Sequence, residues 1–540
     1  MGSGSGAGRT GGRPLHRVVH APGAPAVMEL LPLGPLAWTV VIAYLCSLIG
    51  VGYIARRARR DNTLADFYLG GRGIGFVVLF LTLFATTYSG NTFFAFTGSI
   101  YRQGFVFIYS LHFMLAIVVV YQFFAPALKR LADRRGYVTP VDYLQDRFDS
   151  RLLSVSCALV MCVALSNYLV AQLMAMGRAM EGLATVDPAV AFAFGVIALA
   201  LIMVIYGTLG GLRAVAWTDT IQGVLLLLGL AALLVMLFRQ FGSLEQATRL
   251  IQARDVAAGS GLAAPPNAAQ AREWLSYVLV VGFGAALYPH AIQRVYAARS
   301  MAVLNRSIAW MAFMPFVAIG FIFVAGTMGL AHVEGLSGPA ADQVLGRMMQ
   351  EVQLASLFGY WLVVLLICAV LAAMMSTADS ALLSISSMVS KDIYGAIVRP
   401  DATEGQLTRV GKLSSWILLA LLVGLAIALR EQATLIQIID RKFDLLVQMV
   451  PAFMLGMRWK GLRGGPTAVG FLVGVALALM LAFGDFPFVE GAKVAGFHPG
   501  LVALIPNLAI AVAGSTLLPR NLQARADSLE TTNQYRSERT

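Results

Sequence analysis

Residues 75–100 read GFVVLFLTLFATTYSGNTFFAFTGSI. The stretch is apolar enough to cross a bilayer, yet Thr86-Thr87-Tyr88-Ser89-Gly90-Asn91-Thr92 interrupt it half-way. Hydrocarbon offers the backbone no hydrogen-bond partner, so a helix that loosens at that depth needs protein, water or an ion to satisfy the groups it frees. Interruptions of this kind are where membrane proteins build solute and ion sites. The other reading is an unbroken helix whose small polar residues pack on its neighbours.

The rest of the chain supports a membrane setting. Its 540 residues are 58% hydrophobic and 13% charged, with a mean hydropathy of +0.74. Many windows exceed the roughly 18 apolar residues that mark a spanning helix. The expected fold class is all-α, a polytopic membrane protein with thirteen spans at 34–55, 75–100, 104–128, 152–178, 188–208, 213–238, 273–297, 303–331, 355–390, 411–430, 434–457, 465–484 and 498–519. The ninth is too long for one straight crossing and is expected to tilt or to continue into the cytoplasm. Residues 136–150 read as an amphipathic cytoplasmic connector and 239–272 as the longest outer loop. Residues 1–33, opening with a Gly/Ala/Pro-rich run, are expected to be a disordered extension, and 520–540 a polar cytoplasmic tail.

Charge and cysteine content narrow the class. A net charge of +12 would suggest nucleic acid in a soluble chain, but the basic residues cluster in short loops, where they set orientation. Twenty-six Lys and Arg, Arg294 among them, fall on one side of the predicted spans; the other carries nine, plus three in the N-terminal tail. The basic side is therefore expected to be cytoplasmic, with the N-terminus outside and the C-terminus inside the cell membrane. Cys46, Cys157, Cys162 and Cys368 all fall inside spans, without zinc or disulfide spacing, and read as packing residues. No His/Glu/Asp grouping has metal-ligand or acid–base spacing and no motif cradles phosphate, so the chain does not read as an enzyme.

Three more segments complete a pattern: DFYLGGRGIG (66–75), YGTLGGLRAVAWTDTIQG (206–223) and LAAMMSTADSALLSISSMVSKDIY (371–394). Together they resemble the sodium:solute symporter family over roughly residues 34–520, in the right order and on the right spans. The resemblance implies a five-plus-five inverted-repeat (LeuT-like) core. Its halves would cover about 75–238 and 273–457, that is, spans two to eleven. The second and seventh spans, five apart, are both interrupted by small or polar residues, as two inverted halves require.

The implied activity is sodium-driven symport of a small organic solute, carboxylate or amino-acid-like, by alternating access, with sodium as a transported ion. The resemblance places sodium where the broken second span meets the ninth. The backbone carbonyls of Ala85, Tyr88 and Ala373 and the hydroxyls of Ser376 and Thr377 would be its ligands. A hard monovalent cation does prefer neutral oxygens, and an unwound helix frees carbonyls. The alternative for Ser376 and Thr377 is a hydroxyl bonded back to the carbonyl one turn earlier. Asp219 would lie near the ion's exit, or else at the interface facing water. Arg213 reads as a gate ion pair or a topology signal. Proline symporters of the family carry an aspartate where Thr87 stands, so no proton relay runs through that position.

Solute-facing candidates are Ser89, Gly90, Asn91, His112, Asn167, Gln172, Tyr288, His290 and Lys442. Pro289 should break the seventh span and free carbonyls beside the pocket. His290 reads as a solute ligand or a packed histidine. The cluster Asp440-Arg441-Lys442-Phe443-Asp444 reads as a solute-pathway element or as headgroup-level charge. Three other classes stay in view. A proton-coupled carrier of the same architecture is the nearest. A transporter-like sensor would need a kinase region after the last span, and an integral membrane enzyme would need a catalytic cluster.

Overall fold

The computed structural model describes residues 33–183, 187–430, 435–484, 486–490 and 493–517. Most of the predicted extension and the whole 520–540 tail lie outside the described residues, and for Gly90, Asn91 and Asp440 only the backbone is described.

Every predicted span carries helix. In order these are Pro35–Arg57; Phe76–Thr87 with Gly90–Gln103; Ser110–Arg135; Arg151–Leu183; Pro188–Gly210; and Leu212–Phe241. The seventh is Ala268–Ala286 with Pro289–Ala297, and the eighth Met301–Met311 with Met314–His332. Leu357–Met388, Glu404–Ala428, Leu435–Leu446, Gly464–Phe483 and Pro499–Leu517 complete the set. By length and apolarity, ten helical stretches among the described residues could cross a bilayer unaided, and eleven once the bent seventh span is counted whole. Thirteen is therefore an approximate count, because interrupted spans fail a test built for continuous ones.

Helix starts follow local chemistry. Proline opens the helices at Pro35, Pro140, Pro188 and Pro289, where its missing N–H has no partner to lose. Capping boxes at Thr139/Asp142, Ser243/Gln246, Asn267/Gln270 and Thr403/Gln406 start helices in or beside the loops. The connector at 136–150 is helical over Pro140–Phe148, and the long loop at 239–272 contains the helix Leu244–Ala258.

The ninth span is the axis of the molecule. From Leu362 to Met388 every residue except Leu365 is buried, and the helix runs on as a π-helix over Val389–Val398, the expected continuation. Close packing around it uses small residues, as membrane interfaces do. A Cβ on Gly52 would lie 2.6 Å from the Cβ of Tyr206, and one on Gly210 would lie 2.7 Å from that of Ala55. The perimeter is apolar, with Ile42, Phe123, Phe194, Leu228 and Leu421 among many large exposed side chains. Cys157 and Cys368 are buried as expected, whereas Cys46 is exposed on that perimeter.

Candidate functional site

The second span breaks where the sequence is polar. Phe76–Thr87 stops at Tyr88 (φ −109°, ψ 85°), Ser89 is extended (φ −76°, ψ 163°), and helix resumes at Gly90. The last four carbonyls of a helix have no intrahelical donor. The Tyr88 N–H takes the Phe84 carbonyl, while the Ala85 carbonyl lies 3.3 Å from the Ser376 hydroxyl of the ninth span. That hydroxyl is also 3.0 Å from the Ala373 carbonyl, and Thr377 Oγ1 lies 3.1 Å from the same oxygen. Ser376 has one proton for two acceptors. The break thus gathers neutral oxygens from two helices in a place with no water-sized exposure: Ala85, Tyr88, Ala373, Ser376 and Thr377 are all buried. The seventh span repeats the device, with a bend of 51° at Leu287–Tyr288 and Pro289 restarting the helix.

One turn below lies a buried polar network, of which only Asp219 stood out in the sequence. Asp219 is fully buried and does not face water. Its Oδ2 accepts from Arg294 Nη2 at 2.9 Å and from the Thr82 hydroxyl. Arg294, counted above as a cytoplasmic topology charge, is fully buried and belongs here instead. Its Nε donates to Thr82 Oγ1 (2.9 Å), Nη1 to the His290 carbonyl (3.1 Å) and Nη2 also to Ser380 Oγ (2.7 Å). Ser380 contacts Asp379 Oδ1 (3.1 Å), and the Tyr206 hydroxyl donates to Asp379 Oδ2. Second, fifth, sixth, seventh and ninth spans are tied together by these groups. Arg294 was legible as the i+4 neighbour of His290, and Asp379–Ser380 as the next turn of the Ser376 face.

Arg213 makes an ion pair rather than serving only as a topology signal. Its Nη2 is 3.0 Å from Asp66 Oδ1, and Asp66 also pairs with Arg59. The break's own hydroxyls are spoken for: Thr87 donates to the Leu83 carbonyl (2.7 Å) and Ser89 lies 3.4 Å from Thr92 Oγ1.

Above the break is an aromatic chamber. Tyr168 and Tyr288 stack with centroids 5.6 Å apart and planes within 10°, and His290 stacks with Tyr288 at 4.9 Å. Lys442 is buried, its Nζ 3.3 Å from the Tyr168 ring centre, 4.8 Å from Phe443 and 5.5 Å from Tyr288. The Tyr168 hydroxyl faces Ser89, Thr377 and Gln172. Gln172 is fully buried, and His290 Nδ1 is buried without a partner. The charged cluster on the eleventh span therefore splits. Lys442 turns inward. Asp444 accepts from the Gly500 N–H (2.8 Å) of the last span, and Arg441 lies 3.4 Å from Asp444.

Two predicted solute-facing residues do not join this chamber. His112 is exposed and accepts from Trp274 Nε1 at 3.2 Å. Asn167, one residue from Tyr168 and so about 100° around the helix, lines an apolar groove beside the ninth and tenth spans. Tyr168 and Phe443, which the sequence reading omitted, are brought in by that same rotation.

Against known proteins, the model of the sodium:solute symporter family matches residues 67–477, more than half of the chain. The chain belongs to the sodium:solute symporter family. The sodium/pantothenate symporter of Escherichia coli K12 is similar at 27% identity over 486 residues, covering 88% of this chain and 95% of that protein. The sodium/proline symporter of Haemophilus influenzae is similar at 26% over 443 residues, covering 80% and 85%. A solved Na⁺-coupled sialic acid symporter, substrate-bound and outward-open, superposes with a TM-score of 0.73 at 20% identity, covering 90% of this chain and 98% of that one. A nucleobase-cation-symport-1 family transporter superposes at 0.51 and 13% identity. These structural likenesses show the fold, the five-plus-five inverted-repeat architecture. As a sodium:solute symporter, the protein couples the movement of sodium to that of a small organic solute, and it works as a multi-pass protein of the cell membrane. Sodium is cargo, not a resident cofactor.

Proposed function

We propose that sodium is carried at the break, held by the carbonyls of Ala85, Tyr88 and Ala373 and the hydroxyls of Ser376 and Thr377, and that a carboxylate-bearing solute binds directly above it against Lys442. The observation that supports this most is the 3.3 Å approach of the Ala85 carbonyl to the Ser376 hydroxyl across two helices, at the point where the second span loses its ladder. A cation there relieves the crowding of lone pairs that one shared proton leaves. Ser376 and Thr377 currently bond back to Ala373, so binding needs only rotation of two hydroxyls, not a rearranged backbone.

The solute class follows from the chamber. The Lys442 ammonium, buried among the rings of Tyr168, Tyr288 and Phe443, is a positive centre that a solute carboxylate complements, which favours anionic or zwitterionic solutes over sugars. Tyr288 and His290 wall the chamber on the seventh span, and Ser89 and Gln172 supply neutral polar contacts. Gly90 and Asn91 open the resumed helix, where the first N–H groups have no intrahelical acceptor. Asp219, held by Arg294, sits below the sodium ligands as a fixed part of the ion's path.

Coupling arises because both cargoes use the break: each stabilises the geometry the other needs. The site is read as one for transport, with no covalent chemistry. A C-terminus in the cytoplasm and an N-terminus outside is supported by the charge bias, twenty-five basic residues once Arg294 is removed against nine plus three in the N-terminal tail.

The test is a thermal-shift screen of the purified protein with carboxylates and amino acids, in sodium and in potassium. Mass action makes binding visible as stabilisation. Stabilisation by a carboxylate should appear in sodium only and vanish in Lys442→Met. Equal stabilisation in potassium would overturn the sodium site, and undiminished binding in Lys442→Met would overturn the solute assignment.

A further inference from the structure

We propose that the groove between the fourth, ninth and tenth spans is a binding site for an anionic phospholipid, with one acyl chain lying in the groove and the headgroup phosphate at Arg151. The groove has a volume of about 670 Å³ and is walled by Leu159 and Val163, floored by Ile385 and Ile393, and closed by Leu418 and Leu425. That volume lies in the ligand-site range of roughly 300–1,000 Å³. All of its walls belong to membrane-spanning helix, so the medium that reaches it is hydrocarbon. A cleft of this size left empty forfeits the dispersion contacts of its lining, and a flexible acyl chain recovers them. The buried Oδ1 of Asn167 is already covered by protein, so the face offered to a ligand is almost wholly apolar.

The headgroup assignment rests on Arg151. Arg151 opens the fourth span, is exposed, and donates from Nη2 to the Ala396 carbonyl at 3.1 Å. Ala396 lies on the π-helix one turn beyond Ile393, so the guanidinium stands at the mouth of the groove. Arg151 has no carboxylate partner among the described residues, and exposed Arg399 follows on the same end. At the opposite end the groove reaches Leu429, where the adjoining Arg430 is paired with Glu181 at 2.7 Å. An apolar trough with a guanidinium at one mouth matches a molecule with a long tail and one anionic head. Such basic positions each favour anionic lipid by about fivefold at a membrane surface.

The experiment is native mass spectrometry of the protein released from micelles containing equal phosphatidylglycerol and phosphatidylcholine. Wild type should retain one phosphatidylglycerol in about fivefold preference. Arg151→Gln should still retain a lipid but lose the preference. Leu425→Trp, which fills the groove from a half-exposed position, should retain neither lipid tightly. Both variants keep the sodium and solute residues, so sodium-dependent thermal stabilisation serves as their folding control. A fivefold preference that persists in Arg151→Gln overturns the headgroup assignment. Lipid retention unchanged in a folded Leu425→Trp overturns the groove itself.

Discussion

Replacing Arg294 with methionine tests whether the buried network is a self-contained electrostatic unit. The guanidinium donates to Thr82, to the His290 carbonyl, to Asp219 and to Ser380, at 2.7–3.1 Å and with no exposure to solvent. Methionine fills most of the volume but leaves the Asp219 carboxylate in apolar surroundings with only Thr82 as donor. Removing one member of a buried ion pair destabilises by about 3–5 kcal/mol, because the remaining charge is uncompensated. Removing both members avoids that charge. Arg294→Met combined with Asp219→Leu should therefore lie within about 1 kcal/mol of wild type, for a coupling of at least about 2 kcal/mol. The assay is reversible unfolding in mixed micelles titrated with dodecyl sulfate, for the wild type, both single variants and the double. A double variant as unstable as the sum of the singles would refute the reasoning, since the damage would then come from lost packing and lost bonds to Ser380 and His290, not from an orphaned charge.

Ser376→Ala with Thr377→Ala removes two of five proposed ligand oxygens; at about 1.5–3 kcal/mol for each bond to a charge, the sodium half-saturation for uptake should rise about 10- to 150-fold per hydroxyl, and unchanged sodium activation in proteoliposomes would contradict the ion site. Because both cargoes use the break, saturating sodium should tighten solute binding, and by linkage solute should tighten sodium by the same factor; calorimetry giving a solute affinity unchanged by sodium would rule out a shared break as the link. Gly211 sits at φ 60°, ψ −149° between the fifth and sixth spans, and a Cβ there would stand 2.2 Å from the Phe67 carbonyl oxygen. Gly211→Ala should cost at least about 1–3 kcal/mol in the same dodecyl sulfate titration, and wild-type stability in that variant would show that the backbone can relax.

Much of the fold could be read from the chain because bilayer physics leaves few choices. A long apolar run must be helix, and short basic loops must lie on one side, so thirteen stretches could be placed within a few residues. The break at Tyr88–Ser89 was legible for a related reason: a cluster of β-branched, hydroxylated and glycine residues at mid-depth weakens a helix in the one medium that cannot hydrate what it frees. The same logic found the seventh-span bend, since Pro289 has no N–H to give.

Which side chains meet across helices was not legible to the same degree, and the failures have a common geometry. Each residue of a helix turns 100° from the last, so a span error of one position exchanges a chamber-lining residue for a perimeter one. Asn167 and Tyr168 show this: the amide looked like the ligand, but the ring beside it faces Lys442 while Asn167 lines the apolar groove. Arg294 failed differently. Loop-charge statistics treat every basic residue near a span end as solvated, yet its partner Asp219 lies 75 positions away and only the fold brings them together. A sequence criterion does follow from the pair. Two opposite charges that each fall inside an apolar span, and on the polar face of it, are better assigned to one another than to separate interfaces, because either one buried alone costs more than both buried together. Applied here, that criterion removes Arg294 from the topology count and pairs it with Asp219.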